Sequence, residues 1–266
     1  MLAVIIGASS GLGVSFARKL AARGHDLLLI ARREDRLQSI AREIGEQHHV
    51  RTEILVADLT SDAGLASAAD RIRDAADLGL LVNNAGFGSL GYFFETDPHA
   101  QEQMHRLHVL ATMRLSHAAL ANLVPRALAG TGIINVSSVA AFAASPQSVS
   151  YGATKTWMNR FTEGLAMELE VKASPVTLQA LCPGFTLTEF HDAVGMDRSR
   201  IPASLWMTAD FVVEESLRGF ERRTLFVVPG WRYKLIVWML RLVPGGLIRR
   251  GSIRTAQRFK QPRKTS

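Results

Sequence analysis

Short apolar runs that alternate with longer segments of helical spacing constrain the fold of this chain more than any other feature. Most of the runs are near-continuous Val, Ile and Leu, which is typical of strands buried on both faces. The predicted strands occupy residues 2–7, 26–31, 52–57, 78–83, 132–136, 176–181 and 225–228. The predicted helices occupy residues 11–23, 34–48, 62–76, 98–124, 150–172 and 209–221. This alternation predicts a single, open, doubly wound α/β domain, with a seven-stranded parallel sheet and helices on both faces.

Composition fits such a domain. With 47% hydrophobic and 21% charged residues among 266, the chain can bury a sizeable core, which excludes global disorder. Its single cysteine, Cys182, excludes an intrachain disulfide framework and a cysteine-rich zinc site, and we predict no metal ion. Residues 2–6 follow the first methionine directly, without the basic region or cleavage site of a signal peptide. No stretch approaches the run of about 18 apolar residues that crosses a membrane, so we expect a soluble, cytoplasmic protein.

Positive charge is concentrated at the C-terminal end of the sequence. The whole chain carries a net charge of +7, whereas residues 241–266 carry +8 and leave −1 for the rest. The eight basic residues of this segment, which contains no acidic residue, are Arg241, Arg249, Arg250, Arg254, Arg258, Lys260, Arg263 and Lys264. The net positive charge therefore comes from the C-terminal tail, whereas a nucleic-acid-binding domain would carry it on its folded body. We predict no nucleic-acid partner.

A glycine-rich turn separates the first predicted strand from the first predicted helix. Its sequence is Gly7-Ala8-Ser9-Ser10-Gly11-Leu12-Gly13, a spacing of Gly-x3-Gly-x-Gly. Glycines let the backbone turn sharply and approach a diphosphate closely, and the unpaired N–H groups of the helix N-terminus then face its negative charge. A tight turn without a ligand is the alternative, because a glycine pattern alone is a weak signal. The position after the first strand favours a dinucleotide site.

Two arginines, Arg32 and Arg33, follow the second predicted strand. A cofactor with a free ribose 2′-hydroxyl is usually met there by an acidic side chain, where this chain has Ala31. Guanidinium groups suit a 2′-phosphate, so the pair favours NADP(H) over NAD(H). The alternative is that the two arginines only solvate the start of the next helix. This explains them less well, because cations at a helix N-terminus are mildly unfavourable.

Two further strand ends carry candidate cofactor contacts. After the third strand, Asp58-Leu59 places a carboxylate where it can meet the adenine amino group, with helix capping as the alternative role of the aspartate. Thr60 and Ser61 compete for that cap. Asn84-Ala85-Gly86 follows the fourth strand, where small residues allow close approach of the backbone.

The candidate chemistry lies at Ser138, after the fifth strand, and at Tyr151 and Lys155 on the helix that follows. Tyr151 and Lys155 are four residues apart, so they share one face of the helix. A phenol with a pKa of about 10 is a poor base at neutral pH, and a neighbouring ammonium group and a nicotinamide cation would favour the phenolate. Ser138 would hold the substrate oxygen while Tyr151 exchanges a proton with it during hydride transfer. For Tyr151 and Lys155 alone, a packed ring beside an extended lysine is the alternative.

Taken together, these motifs resemble those of a classical short-chain dehydrogenase/reductase, from the first strand to about Pro229. The matching motifs, in chain order, are Gly7-x3-Gly11-Leu12-Gly13, Asn83-Asn84-Ala85-Gly86, Ser138, Tyr151-x3-Lys155 and Pro183-Gly184-x3-Thr188. Residues 84–88 and 182–190 are most similar to the branch near 3-ketoacyl and hydroxysteroid reductases. The resemblance implies a Rossmann fold, a Tyr/Ser/Lys centre and a homodimer or homotetramer.

The same resemblance assigns residues to the nicotinamide end of the cofactor. It implies that Lys155 contacts the nicotinamide ribose. It also implies that Pro183, Gly184 and Thr188 border the nicotinamide, with Thr186 in the same cofactor-binding segment.

Two positions depart from the pattern of that family. Ile6 stands where the glycine motif usually begins with Thr, so a hydrogen bond that helps to hold the turn is missing or replaced. His108 stands where a mid-helix Asn usually anchors a water in a proton relay towards the lysine. Histidine could hold that water or relay the proton itself, and we include His108 among the catalytic residues. A structural histidine is the alternative, and a slip in the alignment would place His105 there.

Residues 185–207 follow the nicotinamide motif and are predicted to form a lid over the substrate pocket. Phe185 and Phe190 are predicted to contact the substrate, together with Ser138 and Tyr151. An apolar pocket with few charges suits a lipid-like, steroid-like or aromatic carbonyl, although packing of a long loop explains the same side chains. Two polar residues of the lid could orient the substrate: His191 and Asp192.

An apolar helix and a basic tail are predicted at 231–266, outside the domain formed by residues 1–230. As a helix, the apolar stretch 231–243 would be about 20 Å long, too short to cross a membrane core of about 30 Å. It could lie at a membrane surface, aided by its aromatic and cationic flanks, or pack against a partner subunit. About the last 12 residues are expected to be disordered.

The leading hypothesis from the sequence is an NADP(H)-dependent oxidoreductase that interconverts a secondary alcohol and a ketone. Tyr151 is the predicted acid/base, Ser138 orients the oxygen, and Lys155 lowers the pKa of the phenol. The competing hypothesis is a catalytically weak protein of the same fold that binds and senses NADP(H), with His108 as the supporting irregularity. A membrane-surface scaffold is a third hypothesis, based on the basic tail.

Overall fold

A seven-stranded parallel sheet forms the centre of the molecule, whose computed structural model describes residues 1–190 and 194–258. Its strands are β1 (Leu2–Ile6), β2 (Asp26–Ala31), β3 (Thr52–Val56), β4 (Leu78–Asn83), β5 (Gly132–Val136), β6 (Thr177–Leu181) and β9 (Phe226–Val227). The order across the sheet is β3-β2-β1-β4-β5-β6-β9. Two short strands, β7 (Thr186–Leu187) and β8 (Met207–Thr208), pair with each other in parallel outside this sheet.

Helices connect the strands along the chain. They are α1 (Gly11–Ala21), α2 (Glu34–His48), α3 (Asp62–Arg73), α4 (Pro98–His105), α5 (Thr112–Arg126), α6 (Val149–Val171), α7 (Ala209–Glu221), α8 (Trp231–Leu242) and α9 (Gly245–Arg258). The helix predicted at 98–124 is instead two helices, α4 and α5, joined by a wider π-helical segment at Arg106–Ala111. Such wider turns are frequent at functional sites, and this one carries His108.

Two apolar layers pack against the sheet, one on each face. Val4 of β1 belongs to the layer that includes side chains of α3, α5 and α6, whereas the next residue, Ile5, belongs to the layer with α1, α2 and α7. Because both faces are covered, strand residues are apolar on both sides, as the near-continuous runs in the sequence predict. The predicted doubly wound α/β architecture with its seven-stranded parallel sheet is confirmed.

The strand order places the candidate site at one edge of the sheet. β1 lies between β2 and β4, so the chain reverses direction across the sheet at this point. In parallel sheets of this kind, ligands bind at the carboxyl ends of the strands beside such a reversal. Gly7, Asn84, Ser138 and Pro183 follow β1, β4, β5 and β6 and therefore come to the same edge.

The C-terminal segment is more regular than the sequence predicts. The apolar helix expected at 231–243 is α8, but α9 continues to Arg258, so the expected disorder is wrong for residues 255–258. Among the described residues, no helix has the length and apolar character needed to span a bilayer. Some predicted residues lie outside the described ranges: His191, Asp192, Lys260, Arg263 and Lys264.

Candidate active site

The glycine turn after β1 is folded so tightly that side chains would not fit. Gly7 and Gly11 have positive φ angles of 76° and 54°, which favour glycine. A Cβ on Gly13 would lie only 2.1 Å from the carbonyl oxygen of Gly7. Asn84 donates from Nδ2 to the carbonyl oxygens of Ile6 (3.2 Å) and Gly7 (3.1 Å), so it holds the turn where Ile6 lacks a hydroxyl.

This turn fits a dinucleotide diphosphate. Ser10 precedes α1 without a side-chain cap, and no acidic residue lies in the first turn of the helix. The N-terminus of α1 therefore offers N–H groups and positive potential to an anion. Thr188 borders the turn from the other side, since a Cβ on Gly11 would lie 3.1 Å from its Cβ. The sequence-predicted residues 7–13 and Thr188 are thus brought together.

A cluster of guanidinium groups lies beside the turn. Arg33 donates to the hydroxyl and the carbonyl oxygen of Ser9 over 3.1–3.2 Å, whereas Arg32 is exposed. Glu189 forms ion pairs with Arg33 (3.2 Å) and Arg36 (2.6 Å). The hydrogen bond from Arg36 is the main reason that the pKa of Glu189 is lowered. Guanidinium groups can bind a phosphate, and Glu189 takes two of those in this cluster as its partners.

Asp58 is not a helix cap. Its carboxylate accepts from the backbone N–H (3.0 Å) and the hydroxyl (2.8 Å) of Thr60, and the N–H bond is the main reason that its pKa is lowered. Ser61 caps α3 instead, accepting from the N–H of Gly64 at 3.1 Å. The capping role considered for Asp58 is therefore wrong. Leu59 is buried beside it, and their adenine contact stays a prediction.

Ser138, Tyr151 and Lys155 meet at the carboxyl end of β5. The side chain of Ser138 lies close enough to the phenol of Tyr151 to act on its pKa. Lys155 is buried, and its Nζ donates to the carbonyl oxygen of Val136 at 2.8 Å while lying 5.8 Å from the ring centroid of Tyr151. Ser137 donates from its hydroxyl to the carbonyl oxygen of Lys155 at 3.1 Å, which ties α6 to the end of β5.

Burial shifts the pKa values of Tyr151 and Lys155. It raises the pKa of Tyr151, although the neighbouring Ser138 side chain opposes the shift, and it lowers the pKa of Lys155 to about 8. Among the protein groups alone, desolvation of the phenolate outweighs the influence of its neighbours. The lowered phenol pKa predicted from the sequence includes a nicotinamide cation beside the ring and stays a prediction. A phenol that keeps its proton at neutral pH is an acid, which is the form that can protonate a carbonyl oxygen.

His108 is completely buried on the π-helical segment, and both ring nitrogens have protein partners. The backbone N–H of Phe87 donates to Nε2 at 3.2 Å, so Nδ1 carries the hydrogen and donates to Oγ1 of Thr154 at 2.9 Å. Thr154 in turn donates to the carbonyl oxygen of Tyr151 at 2.9 Å. Burial, followed by the charge of Lys155, lowers the pKa of His108 well below its ordinary value.

This geometry does not support the predicted role of His108 as a water ligand or proton relay. A neutral ring whose two nitrogens are bonded to Phe87 and Thr154 has no nitrogen left for a water. The ring lies edge-on to Tyr151 with centroids 5.9 Å apart, so it positions the phenol. His105, the alternative in the alignment, is exposed at the end of α4.

The predicted lid brings one aromatic side chain next to the trio. The ring of Phe190 lies 5.8 Å from that of Tyr151, and its contact with a substrate stays a prediction. The ring of Phe185 packs against Trp206 at 5.4 Å. Tyr233 of α8 accepts from the N–H of Phe185 (3.0 Å) and donates to the carbonyl oxygen of Leu205 (2.8 Å). The predicted lid is therefore fastened at both ends by one residue of α8.

Comparison with known proteins places this chain in a family. The family model described as short chain dehydrogenase matches residues 1–199. The chain belongs to the short-chain dehydrogenase family. The predicted membership, near the hydroxysteroid and ketoacyl reductases, is confirmed.

Three proteins illustrate the similarity of this short-chain dehydrogenase to others. The solved structure of a short-chain dehydrogenase from Sphingobium yanoikuyae in complex with NADPH is 32% identical, with a TM-score of 0.82 and coverage of 100% of this chain and 97% of the other. The 7beta-hydroxysteroid dehydrogenase of Collinsella aerofaciens is 29% identical over 233 residues, which are 87% of this chain and 86% of that protein. The human inactive hydroxysteroid dehydrogenase-like protein 1 is 29% identical over 188 residues, or 70% of this chain and 56% of that protein.

Sequence analysis missed three residues of this dehydrogenase site. Arg36 follows Arg33 by one helical turn, so helical spacing could have indicated it. Glu189 and Tyr233 meet their partners across long stretches of chain, and no local signal identifies them. A Cβ on Gly184 would lie 2.1 Å from Cζ of Tyr233, so the glycine of the nicotinamide motif leaves room for the tyrosine ring.

Other motif residues take supporting positions. The carbonyl oxygen of Pro183 accepts from the N–H of Val139 at 3.0 Å, and Thr186 donates to the carbonyl oxygen of Gly184 at 3.0 Å. The second of these bonds lies within the segment after β6, and the first connects the segments that follow β5 and β6. Cys182 is buried between them, and burial raises the pKa of its thiol to about 12, so it is not a reactive thiolate.

Proposed function

We propose that this short-chain dehydrogenase is an NADP(H)-dependent enzyme that interconverts a secondary alcohol and a ketone on an apolar substrate. The observation that carries the proposal is the convergence of Ser138 and Tyr151 beside buried Lys155, whose Nζ lies 5.8 Å from the ring centroid of Tyr151. Two hydroxyl groups that converge at a strand end, close to a cation, are suited to hold and protonate one substrate oxygen.

Each residue has a defined part in ketone reduction. Ser138 donates a hydrogen bond to the carbonyl oxygen, and Tyr151 transfers its phenolic proton to that oxygen. The nicotinamide, when bound, supplies the hydride that the carbonyl carbon receives. The positive charge of Lys155 stabilises the phenolate that remains, and a proton from solvent then restores the phenol. Alcohol oxidation follows the same steps in reverse.

The residues that would hold NADP(H) surround the same edge of the sheet. The turn of residues 7–13 and the N-terminus of α1 would bind the diphosphate, and Arg32, Arg33 and Arg36 would bind the 2′-phosphate. Further contacts are assigned to Asp58, Leu59, Asn84, Ala85, Gly86, Lys155, Pro183, Gly184, Thr186 and Thr188. The NADPH bound in the similar structure from Sphingobium yanoikuyae supports this choice of cofactor.

Glu189 is expected to compete with the 2′-phosphate for the same guanidinium groups. Replacing it, as in Glu189→Gln, should lower the Kd for NADPH roughly two- to fivefold, the size expected for exposed ion pairs. The Kd for NADH should not change, because NADH lacks the 2′-phosphate. Fluorescence titration of both cofactors measures this, with Glu163→Gln, which breaks an exposed pair with Arg160, as the control. Equal tightening for NADPH and NADH would contradict the proposed position of the 2′-phosphate.

The apolar lid favours a bulky, apolar carbonyl substrate. Phe190 lies against Tyr151, and Phe185 and Trp206 extend the aromatic surface of the lid. The similarity to a 7beta-hydroxysteroid dehydrogenase supports a steroid-like substrate class. NADPH absorbance, followed across a panel of steroid, long-chain and aromatic ketones, tests the function directly. We expect turnover on bulky members of the panel, whereas tight NADPH binding without any turnover would contradict the proposal.

A second candidate function, an NADP(H)-sensing protein with weak catalysis, is favoured by the bonding of His108. Because neither ring nitrogen is open to a water, proton resupply to the trio is slower than with a water-holding side chain. The similarity to a human protein named inactive also supports it. This candidate predicts slow turnover on every ketone of the panel and a rate at least about tenfold higher in His108→Asn. An unchanged rate in His108→Asn would contradict the candidate.

A further inference from the structure

The helix α8 carries an exposed apolar stripe that the proposed chemistry does not use. Trp231, Leu235, Trp238 and Leu242 follow one another at intervals of four, three and four residues and therefore share one side of α8. All four are exposed, with Trp231 at 66% and Trp238 at 57%. We call these four residues the α8 stripe. Contiguous exposed apolar side chains of this size mark an interaction surface.

The stripe faces outward because the opposite side of α8 is fixed to the body of the molecule. Tyr233 and Val237 are buried, and the hydroxyl of Tyr233 is bonded to Phe185 and Leu205 of the lid. Lys234 adds an ion pair to Glu215 of α7 at 3.4 Å. Rotation of α8 to bury the stripe would break these contacts, so the exposed orientation belongs to the fold.

Strong positive charge accompanies the stripe. Residues 231–266 contain ten Lys and Arg and no Asp or Glu, so they carry +10 of a chain total of +7 and leave −3 for residues 1–230. Arg249, Arg250 and Arg254 of α9 are all exposed, and so is Leu247 on the same helix. An apolar stripe with tryptophans, next to basic residues only, is the composition of a helix that lies in a lipid interface.

We propose that α8 and α9 dock onto an anionic lipid surface. The α8 stripe enters the boundary between head groups and acyl chains, and the arginines of α9 bind lipid phosphate and carboxylate groups. With 12 residues, α8 is about 18 Å long, which is too short to cross a membrane core of about 30 Å. In the proposed docking, the helix therefore lies parallel to the membrane surface. A second copy of this chain is disfavoured as the partner of the α8 stripe, because that copy would bring another segment with a charge of +10 to the contact.

Docking would place the lid at the lipid surface. A cleft of about 300 Å³ separates lid residues, including Trp206 and Met207, from the start of α8 at Trp231 and Tyr233. Arg241 near the end of α8 lies 5.7 Å from the ring centroid of Phe142, in the segment that follows Ser138. The lipid-facing helix therefore borders the substrate side of the molecule. The docking itself does not rest on the proposed catalytic function.

Vesicle co-sedimentation of the full chain tests the proposal. The probes are phosphatidylcholine vesicles and vesicles of equimolar phosphatidylcholine and phosphatidylserine. We expect binding to the anionic vesicles only, weakened by high salt. The triple change Arg249→Glu, Arg250→Glu and Arg254→Glu should weaken it on the order of a hundredfold or more, since each basic residue near such a surface contributes roughly fivefold. A matched control reverses three exposed arginines elsewhere: Arg42, Arg114 and Arg222.

A second variant separates the apolar contribution from charge. Trp238→Ser with Leu235→Ser keeps every charge and should still weaken binding at least about tenfold, whereas Val171→Ser, an exposed valine at the end of α6, should not. Circular dichroism checks that each variant is folded. The proposal is overturned if wild type ignores anionic vesicles, or if the triple reversal and its control bind equally. It is also overturned if light scattering without lipid finds an oligomer that the serine variant dissociates, since the stripe is then a subunit interface.

Discussion

Tyr151→Phe should lose ketone reduction while NADPH binding stays intact. The change removes one oxygen atom, so the ring keeps its packing against Phe190 and His108. Without the phenolic proton, the carbonyl oxygen depends on water as its acid, and kcat should fall by roughly 10²- to 10⁴-fold. The measurements are kcat from NADPH absorbance with an apolar ketone and the Kd of NADPH from fluorescence titration.

Tyr92→Phe is the matched control for this experiment. Tyr92 lies in the segment before α4, where its ring stacks on Phe94 at 5.7 Å, and its hydroxyl has no part in the proposed chemistry. The control should keep the wild-type kcat. If Tyr151→Phe also keeps more than about a tenth of the wild-type rate, Tyr151 is not the proton donor.

Lys155→Met should abolish most turnover and, at neutral pH, stabilise the fold. Burial lowers the pKa of Lys155 from its ordinary value of 10.5 to about 8, so the folded protein bears the cost of a buried cation below pH 8. Such a difference corresponds to about 3 kcal/mol in the free energy of unfolding. Loss of the hydrogen bond to Val136 offsets about 1 kcal/mol of the gain.

The pH dependence identifies the cause of this stabilisation. Between pH 8 and 10.5 the unfolded chain binds more protons at Lys155 than the folded protein, so the stability of wild type rises with pH across this window. Methionine does not titrate, and the advantage of the variant should disappear by about pH 10.5. Urea unfolding over a pH series measures both curves, with Lys172→Met, at the exposed end of the same helix, as the control. A constant difference between wild type and Lys155→Met from pH 7 to 10.5 would show that no buried cation is involved.

Local spacing accounts for the parts of the site that the sequence predicts well. The turn of residues 7–13 and the pair of Tyr151 and Lys155 each lie within one turn or helix, so their geometry follows from the regular backbone around them. The apolar runs likewise specify buried parallel strands, because helices on both faces leave no polar side. The arginines after β2 follow the same logic, since the end of a strand fixes where they lie.

Contacts between distant segments could not be predicted in this way. Glu189 lies 153 residues from Arg36, and Tyr233 lies 48 residues from Phe185. Neither pair leaves a periodic pattern, because each depends on how the lid and α8 fold back over the sheet. The burial that raises the pKa of Tyr151 could not be predicted for a related reason: a sequence shows nearby charges along a helix, but not the burial that several elements create together.

The role of His108 depends on an irregularity in the helix that the spacing of apolar residues in the sequence does not reveal. A single π-helical segment at Arg106–Ala111 interrupts the pattern of the predicted helix without changing its apolar character. The bonds of Phe87 and Thr154 to the two ring nitrogens appear only in the folded protein. Gly86 belongs to the same arrangement, since a Cβ there would lie 2.7 Å from Nε2 of the histidine.

The position of Tyr233 has a consequence for how members of this family are compared. The family model ends at residue 199, whereas the ring that packs on Gly184 and fastens the lid comes from residue 233. Two dehydrogenases with the same residues through position 199 can therefore differ in the shape of the substrate chamber and in the range of molecules they accept. For the proposed substrate range of this protein, α8 therefore matters as much as the residues that the family model matches.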